Sequence, residues 1–251
     1  GDHRDLHLSL RRQRQMCIRD RSNLHPSTEM LEKFVSGDLS VGVNLAISAH
    51  VEMCDQCKSA IQEIELRTAD QWTNAESSSP AVYQADTASM IDSIIATPQL
   101  KEPIEEESEV GSIHMLDRSV KLPKVLAKAA SEGLVWKQLG AGISQADVKI
   151  DEEAHCSFLY MKPGSQTPVH KHQGTETTLV LDGSMTDELG EYGKSDFIFR
   201  TNNDTHQPRT EDGCLCFSVL DSPLTFTKGL ARLLNPINRL RFQRAVGRTL
   251  S

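Results

Sequence analysis

Between Gly164 and Gly183 the chain reads GSQTPVHKHQGTETTLVLDG, a G-x5-H-x-H-x3-E-x6-G pattern. This stretch limits the fold more than any other. Side chains alternate between the two faces of a strand, so His170 and His172, two residues apart, project the same way. Glu176 follows across a tight bend, and Gly183 closes the next turn. Such a group is either a built site on a β framework or a solvated surface His-Lys-His. The surroundings supply a framework: from about residue 112 onward, short alternating runs such as AHCSFLYM, TTLVLDG, DFIFR and CLCFSVLD are separated by turns. Strands at this spacing predict a small barrel or sandwich.

The first half has a different period. In HPSTEMLEKFVSGDL, Ser27 or Thr28 reads as a helix cap, Met30, Leu31, Phe34 and Val35 as its apolar side, and Gly37 as its stop. A second helix is expected over 40–50 and a third from about Asp55 through IQEIELR. Residues 84–96 place Met90, Ile91, Ile94 and Ile95 on one face of a short amphipathic helix. NAESSSPA (74–81) and the acidic TPQLKEPIEEESEV (97–110) read as linkers that let the two halves move as separate bodies. Within the helices lies His50-x3-Cys54-x2-Cys57. An antiparallel return of the first helix onto the second brings His25, at the mouth of the first helix, to this cluster. His25, His50, Cys54 and Cys57 then form a closed, tetrahedral, structural Cys2His2 site. The blander reading is two core cysteines and a solvated histidine. The metal reading has a physical motive, because a helical unit of fewer than about 80 residues has little core and gains folding free energy from a bound ion.

Residues 16–20, MCIRD, read as a translated sequencing adapter, so 1–22 is set aside as non-native. The remainder carries 21 basic and 32 acidic side chains, a net charge of −11 against −8 for the whole chain. That balance disfavours direct contact with nucleic-acid phosphates. No run of about 18 apolar residues is present to span a membrane. Outside the leader stand five cysteines, Cys54, Cys57, Cys156, Cys214 and Cys216. An odd number, two of them in metal spacing, points to a reducing cytoplasm and away from a disulfide framework. Cys156 reads as core. Cys214 and Cys216 share a strand face, as a redox pair, as extra metal donors or as two small buried hydrophobes. The basic tail at 231–251, with Arg232, Arg239, Arg241, Arg244 and Arg248, reads as an element packed on an acidic body.

The 164–183 pattern resembles the first cupin motif, in which the two histidines and the glutamate are metal ligands inside a small β-barrel. The second cupin motif resembles GKSDFIFRTNNDTH: Gly193 is in place, Thr201 stands for a proline and Asn203 for a glycine, and His206 falls at the ligand position. The substitutions put the turn in question. His25-x24-His50-x3-Cys54-x2-Cys57 resembles the zinc-binding anti-sigma motif. Together, from about residue 24 to about 240, the two are similar to the ChrR-type anti-sigma factors.

The resemblance implies an α+β multidomain chain with a zinc-pinned helical bundle at 24–96 and an acidic linker at 97–111. A cupin-like β-barrel at 112–230 and the basic tail follow. It also implies Zn2+ in the helical domain, and Zn2+, iron or manganese at His170, His172, Glu176 and His206. The implied partner is an extracytoplasmic-function RNA polymerase sigma factor, released in response to singlet oxygen or organic peroxide, and the protein is a regulator with no catalytic residues. A dioxygenase-like cupin metalloenzyme with a zinc appendage is the alternative.

Overall fold

The computed structural model describes residues 24–73, 84–98, 111–114, 119–131, 133–140, 142–202 and 204–247. The leader at 1–22, the linker at 74–81 and most of 97–110 lie outside them. Helix α1 (Thr28–Ser36) starts where the Ser27 hydroxyl accepts the Met30 N–H, and it stops at Gly37, whose φ of 77° only glycine adopts without strain. Helix α2 (Val41–Met53) is capped by Ser40, and α3 (Asp55–Thr73) begins after a one-residue break at Cys54 and runs past the expected IQEIELR. Helix α4 (Gln84–Ala96) turns Met90, Ile91, Ile94 and Ile95 outward, 57, 51, 63 and 76% exposed.

The second half is antiparallel β structure. After the hairpin of β1 (Ser112–His114) and β2 (Ser119–Lys121) comes a short helix α5 (Lys124–Ala130). Strands β3 (Trp136–Gly140), β4 (Ile143–Val148), β5 (His155–Met161), β7 (Glu176–Thr186), β8 (Glu191–Gly193), β9 (Phe197–Arg200) and β11 (Cys214–Leu220) form one seven-stranded sheet. Its order is β3-β4-β5-β11-β7-β8, with β9 also on β7. A smaller sheet joins β10 (Thr205–His206), β6 (His170–Lys171) and β12 (Thr225–Phe226). The tail forms a 3-10 turn (Leu230–Leu234) and helix α6 (Asn235–Ala245), whose Phe242 is buried with Leu220 and Val246. It packs on the body, as expected.

Strand β11 shows why the halves belong together. All seven of its residues are buried. Leu215, Phe217 and Val219 face a core shared with Ala46, Ile47 and Ala49 of α2 and with Leu31, Ile61 and Ile64 of α1 and α3. Cys214 and Cys216 face the other way, with Met161, Val180, Met185 and Ile198. The sheet is therefore sandwiched, with helices on one face and barrel interior on the other. Small residues let α2 approach: a Cβ on Gly42 would lie 2.6 Å from the Cys156 sulfur. Polar pins fix the contact, with the Asp151 carboxylate accepting the Gly42 N–H at 2.8 Å and Glu52 accepting the Lys124 and Val125 N–H groups.

Two expectations change here. The helices α1–α3 and the barrel share one core, so they do not move as separate bodies; the linker composition carried no information about packing. Gly183 does not close a turn. It sits inside β7 at φ 76°, opposite Cys214, where the register slips between Leu215 and Cys216. It serves a bulge, because a Cβ there would lie 2.0 Å from the Gly213 carbonyl oxygen.

Candidate metal centres

The helical cluster assembles where α1, α2 and α3 meet. His25 precedes the α1 cap, His50 lies in the last turn of α2, Cys54 ends that helix, and Cys57 lies in the first turn of α3. The four donor atoms lie within 4.8 Å of one another. His25 Nδ1 is 3.4 Å from His50 Nε2 and 3.5 Å from each cysteine sulfur, and His50 Nε2 is 3.3 Å from Cys57 Sγ. Donors placed tetrahedrally at about 2.1 Å for nitrogen and about 2.3 Å for sulfur are separated by roughly 3.3–3.8 Å. The set fits a zinc-sized ion.

The environment prepares these donors. His50 is fully buried, and burial lowers its pKa to about 4, so the imidazole is neutral and free to ligate. Its Nδ1 donates to the Ser195 carbonyl at 2.8 Å, which fixes the tautomer and points Nε2 at the cluster. The Phe197 ring packs edge-on against it at 5.7 Å. Burial, and then the neighbouring Cys54, push the Cys57 thiol up to about 12, a cost that a bound cation reverses by favouring thiolate.

The second cluster lies in the barrel. Cross-strand pairing sets His170 directly opposite His206, and the ligating nitrogens of His170, His172 and His206 lie within 4.8 Å of one another. All three rings are buried. His172 Nε2 is 2.9 Å from His206 Nε2 and 3.0 Å from Glu176 Oε2, which is 3.9 Å from His206 Nε2. Neighbouring donors around a five- or six-coordinate ion at about 2.1 Å stand roughly 3 Å apart. His170 Nδ1 donates to the Pro168 carbonyl at 2.9 Å, leaving Nε2 for a metal. Burial, with the charge of His206, lowers the His170 pKa to about 4. Burial acts to raise the Glu176 pKa, but the hydrogen bond from His172 and the charges of the three imidazoles override it and hold the carboxyl at about 2. His172 Nδ1 is buried without a hydrogen-bond partner. Three crowded imidazoles around a carboxylate are an arrangement that a cation stabilises. The Thr201 substitution does not displace His206: the Thr201 N–H donates to Asp204 Oδ2 and the Asp204 N–H to the Thr201 carbonyl, just before it.

Two groups escaped the motif-based reading. Asp187 Oδ2 accepts from His206 Nδ1 at 3.0 Å and from Arg200 at 3.0 Å, and Asp187 Oδ1 accepts from the Tyr192 hydroxyl at 2.9 Å. Against the opposing effect of burial, these bonds hold the Asp187 carboxyl well below the usual range. In sequence Asp187 is one acid in an ordinary turn, MTDELG, and nothing marks it. Ser195 was equally silent. Cys214 and Cys216, singled out as a pair, are buried with their sulfurs 4.0 Å apart. Hydrogen bonding to Cys214, then burial, raise the Cys216 thiol well above its ordinary value, with a smaller contribution from the Glu176 charge. Cys156 is core, as expected.

Residues 127–222 match the model of the ChrR cupin-like domain. The anti-sigma-E factor ChrR of Cereibacter sphaeroides is 28% identical over 218 residues, which cover 86% of this chain and 98% of that protein. The chain resembles a ChrR-type anti-sigma factor throughout. The crystal structure of Rhodobacter sphaeroides SigE in complex with the anti-sigma ChrR agrees, with a TM-score of 0.61 and 25% identity over 78% of this chain and 97% of that one. The expected architecture, N-terminal helices followed by a cupin-like β domain, is the one found. Among the described residues no single helix is long and apolar enough to cross a membrane; α1 and α2 pass such a test only as a pair bent by 112°.

Proposed function

We propose that this protein is an anti-sigma factor that sequesters an extracytoplasmic-function sigma factor. The observation that carries the reading is the likeness, along both halves, to an anti-sigma factor whose structure was solved in complex with its sigma factor. The exposed stripe of α4 supports it, because four large apolar side chains on one helix face fit a groove in a partner protein. His25, His50, Cys54 and Cys57 hold a structural Zn2+ in the helical half, and His170, His172, Glu176 and His206 hold Zn2+, iron or manganese in the barrel. The resemblance favours a regulator over a dioxygenase. The reduced thiolates of the first site suit the cytoplasm.

On this reading the barrel senses singlet oxygen or organic peroxide. Cys214 and Cys216 lie on the interior face of β11, where Cys216 feels the charge of Glu176, and are the thiols that an oxidant entering the barrel would act on. A hydroperoxide would convert the two thiols to one disulfide and itself become an alcohol and water. Both sulfurs must then move from 4.0 Å to a bond of about 2.05 Å, which strains the strand next to its bulge.

Co-purification with the sigma factors of the source genome tests the partner. One of them should be retained in a 1:1 complex by the zinc-loaded chain. A triple change, Ile91→Glu, Ile94→Glu and Ile95→Glu, should abolish retention without lowering the melting temperature, since these side chains are exposed. Retention of no sigma factor by the metal-loaded chain overturns the proposal.

A further inference from the structure

We propose that strand β9 and the turn that leads into it couple the two metal centres, so that filling one raises the affinity of the other. The inference rests on the metal reading above. The turn after β8 contains Ser195, the one described residue other than glycine with a left-handed backbone, at φ 71°. L-residues adopt this conformation only under local constraint. Here the constraint is the turn itself, closed by the Asp196 N–H to the Gly193 carbonyl at 3.0 Å and by the Gly193 N–H to Asp196 Oδ2 at 2.7 Å, together with two hydrogen bonds on Ser195. The Ser195 N–H donates to the Val180 carbonyl at 2.8 Å, and its carbonyl accepts His50 Nδ1 at 2.8 Å. Two residues on, the Phe197 N–H donates to the Leu24 carbonyl at 2.8 Å, next to the ligand His25. The start of β9 therefore seats two donors of the helical centre.

The end of the same strand seats the barrel centre. Arg200 donates to the Asp187 oxygen that holds His206 Nδ1 and lies over the Tyr192 ring at 5.4 Å. In the ladder with β7, Arg200 stands opposite Glu176, the carboxylate of the barrel cluster. Phe197–Arg200 is one extended strand of four residues, so a shift at either end is carried along a stiff backbone. The element on which both centres bear is the Ser195 turn: in the first state its carbonyl accepts His50 Nδ1, and in the other that hydrogen bond is broken. A metal at His50 favours the first state because the Nδ1 hydrogen bond makes the imidazole a better ligand. A metal at His206 favours it through Asp187 and Arg200. Two ligands that prefer the same state assist each other by the same factor in both directions.

The test uses the full chain with cobalt(II) as the probe. Cobalt held by Cys54 and Cys57 shows thiolate charge-transfer absorbance that a histidine–carboxylate site lacks, so the helical centre is read separately. Emptying the barrel by His170→Gln with His206→Gln should weaken cobalt binding at the helical centre at least about 5-fold. Emptying the helical centre by Cys54→Ser with Cys57→Ser should weaken the barrel site by the same factor, read by competition with a chromogenic chelator. Arg200→Met retains every ligand but cuts the link and should reduce the factor to about one. Since ligand variants can lose their fold, stepwise cobalt titration of the metal-free unmutated chain supplies the factor independently, with thiolate absorbance and total bound metal recorded together. Independent binding in the intact chain overturns the coupling and leaves both centres standing. Failure of either cluster to bind metal at all overturns the metal reading, and the coupling with it.

Discussion

His50 and His170 are fully or nearly fully buried imidazoles, and each has one nitrogen committed to a backbone carbonyl. Burial is the main reason that both have pKa values of about 4 in the folded chain. In the unfolded chain they return to about 6.5. Between these values the unfolded state binds more protons, so stability rises with pH across the window and is lost as pH falls from about 6.5 to about 4. Each histidine contributes a slope of at most roughly 1.4 kcal/mol per pH unit. The urea midpoint of the metal-free protein should therefore drop steadily through this range, and more shallowly in His170→Gln. A midpoint that stays flat from pH 6.5 to 4 would show that these imidazoles are solvated and the clusters are not preformed.

At the scale of elements, strand β7 does three things at once. It begins with the ligand Glu176, pairs with β11 and β9 through its middle, and passes the bulge at Gly183 before ending near Asp187. With the bulge between them, Glu176 at the start of the strand and Asp187 just past its end both reach His206. Gly183→Ala cannot be absorbed by a flexible neighbour, because the added Cβ would meet the backbone oxygen of Gly213 and the φ is left-handed. Strain and overpacking together should cost at least about 2 kcal/mol. Chemical denaturation checks this, and an unchanged midpoint would mean that the bulge is not maintained in solution. Helix α2 uses glycine in a second way, where Gly42 permits close contact with Cys156 and Val219 without any positive φ.

The whole molecule is organised around a sheet covered on both faces. Because α1–α3 and the barrel strands contribute to a single cluster of buried side chains, the helical half lacks an independent core. On the proposed reading, removing the metal from its His25–Cys57 cluster should then weaken the barrel as well. In a Trp72→Phe background, Trp136 of β3 reports the barrel and far-ultraviolet ellipticity reports the helices. Cys57→Ser should lower the melting temperature of both signals together, in one transition. Two separate transitions, with the Trp136 signal unmoved, would restore the picture of independent bodies joined by linkers. A shared core also means that a disturbance in the barrel reaches the His25–Cys57 cluster through packed side chains.

What the sequence determined by itself was local. The caps at Ser27 and Gly37, the short turn-bounded apolar runs of β5 and β11, and the spacing of His50, Cys54 and Cys57 depend on neighbours a few residues apart, and they were legible for that reason. So was the grouping of His170, His172, Glu176 and His206, because two short motifs bring the donors onto or next to short paired strands. Tertiary structure decided what surrounds those donors. His50 finds its carbonyl 145 residues away at Ser195, and His206 finds Asp187 across a turn that looks like any other. Gly183 reads as a turn glycine until its partner strand shows a bulge. The linkers suggested independence, whereas Gly42 and the apolar face of α2 produced a shared core. Such outcomes depend on which surfaces meet after the elements form, and the free energy that selects them is the burial of side chains distant in sequence.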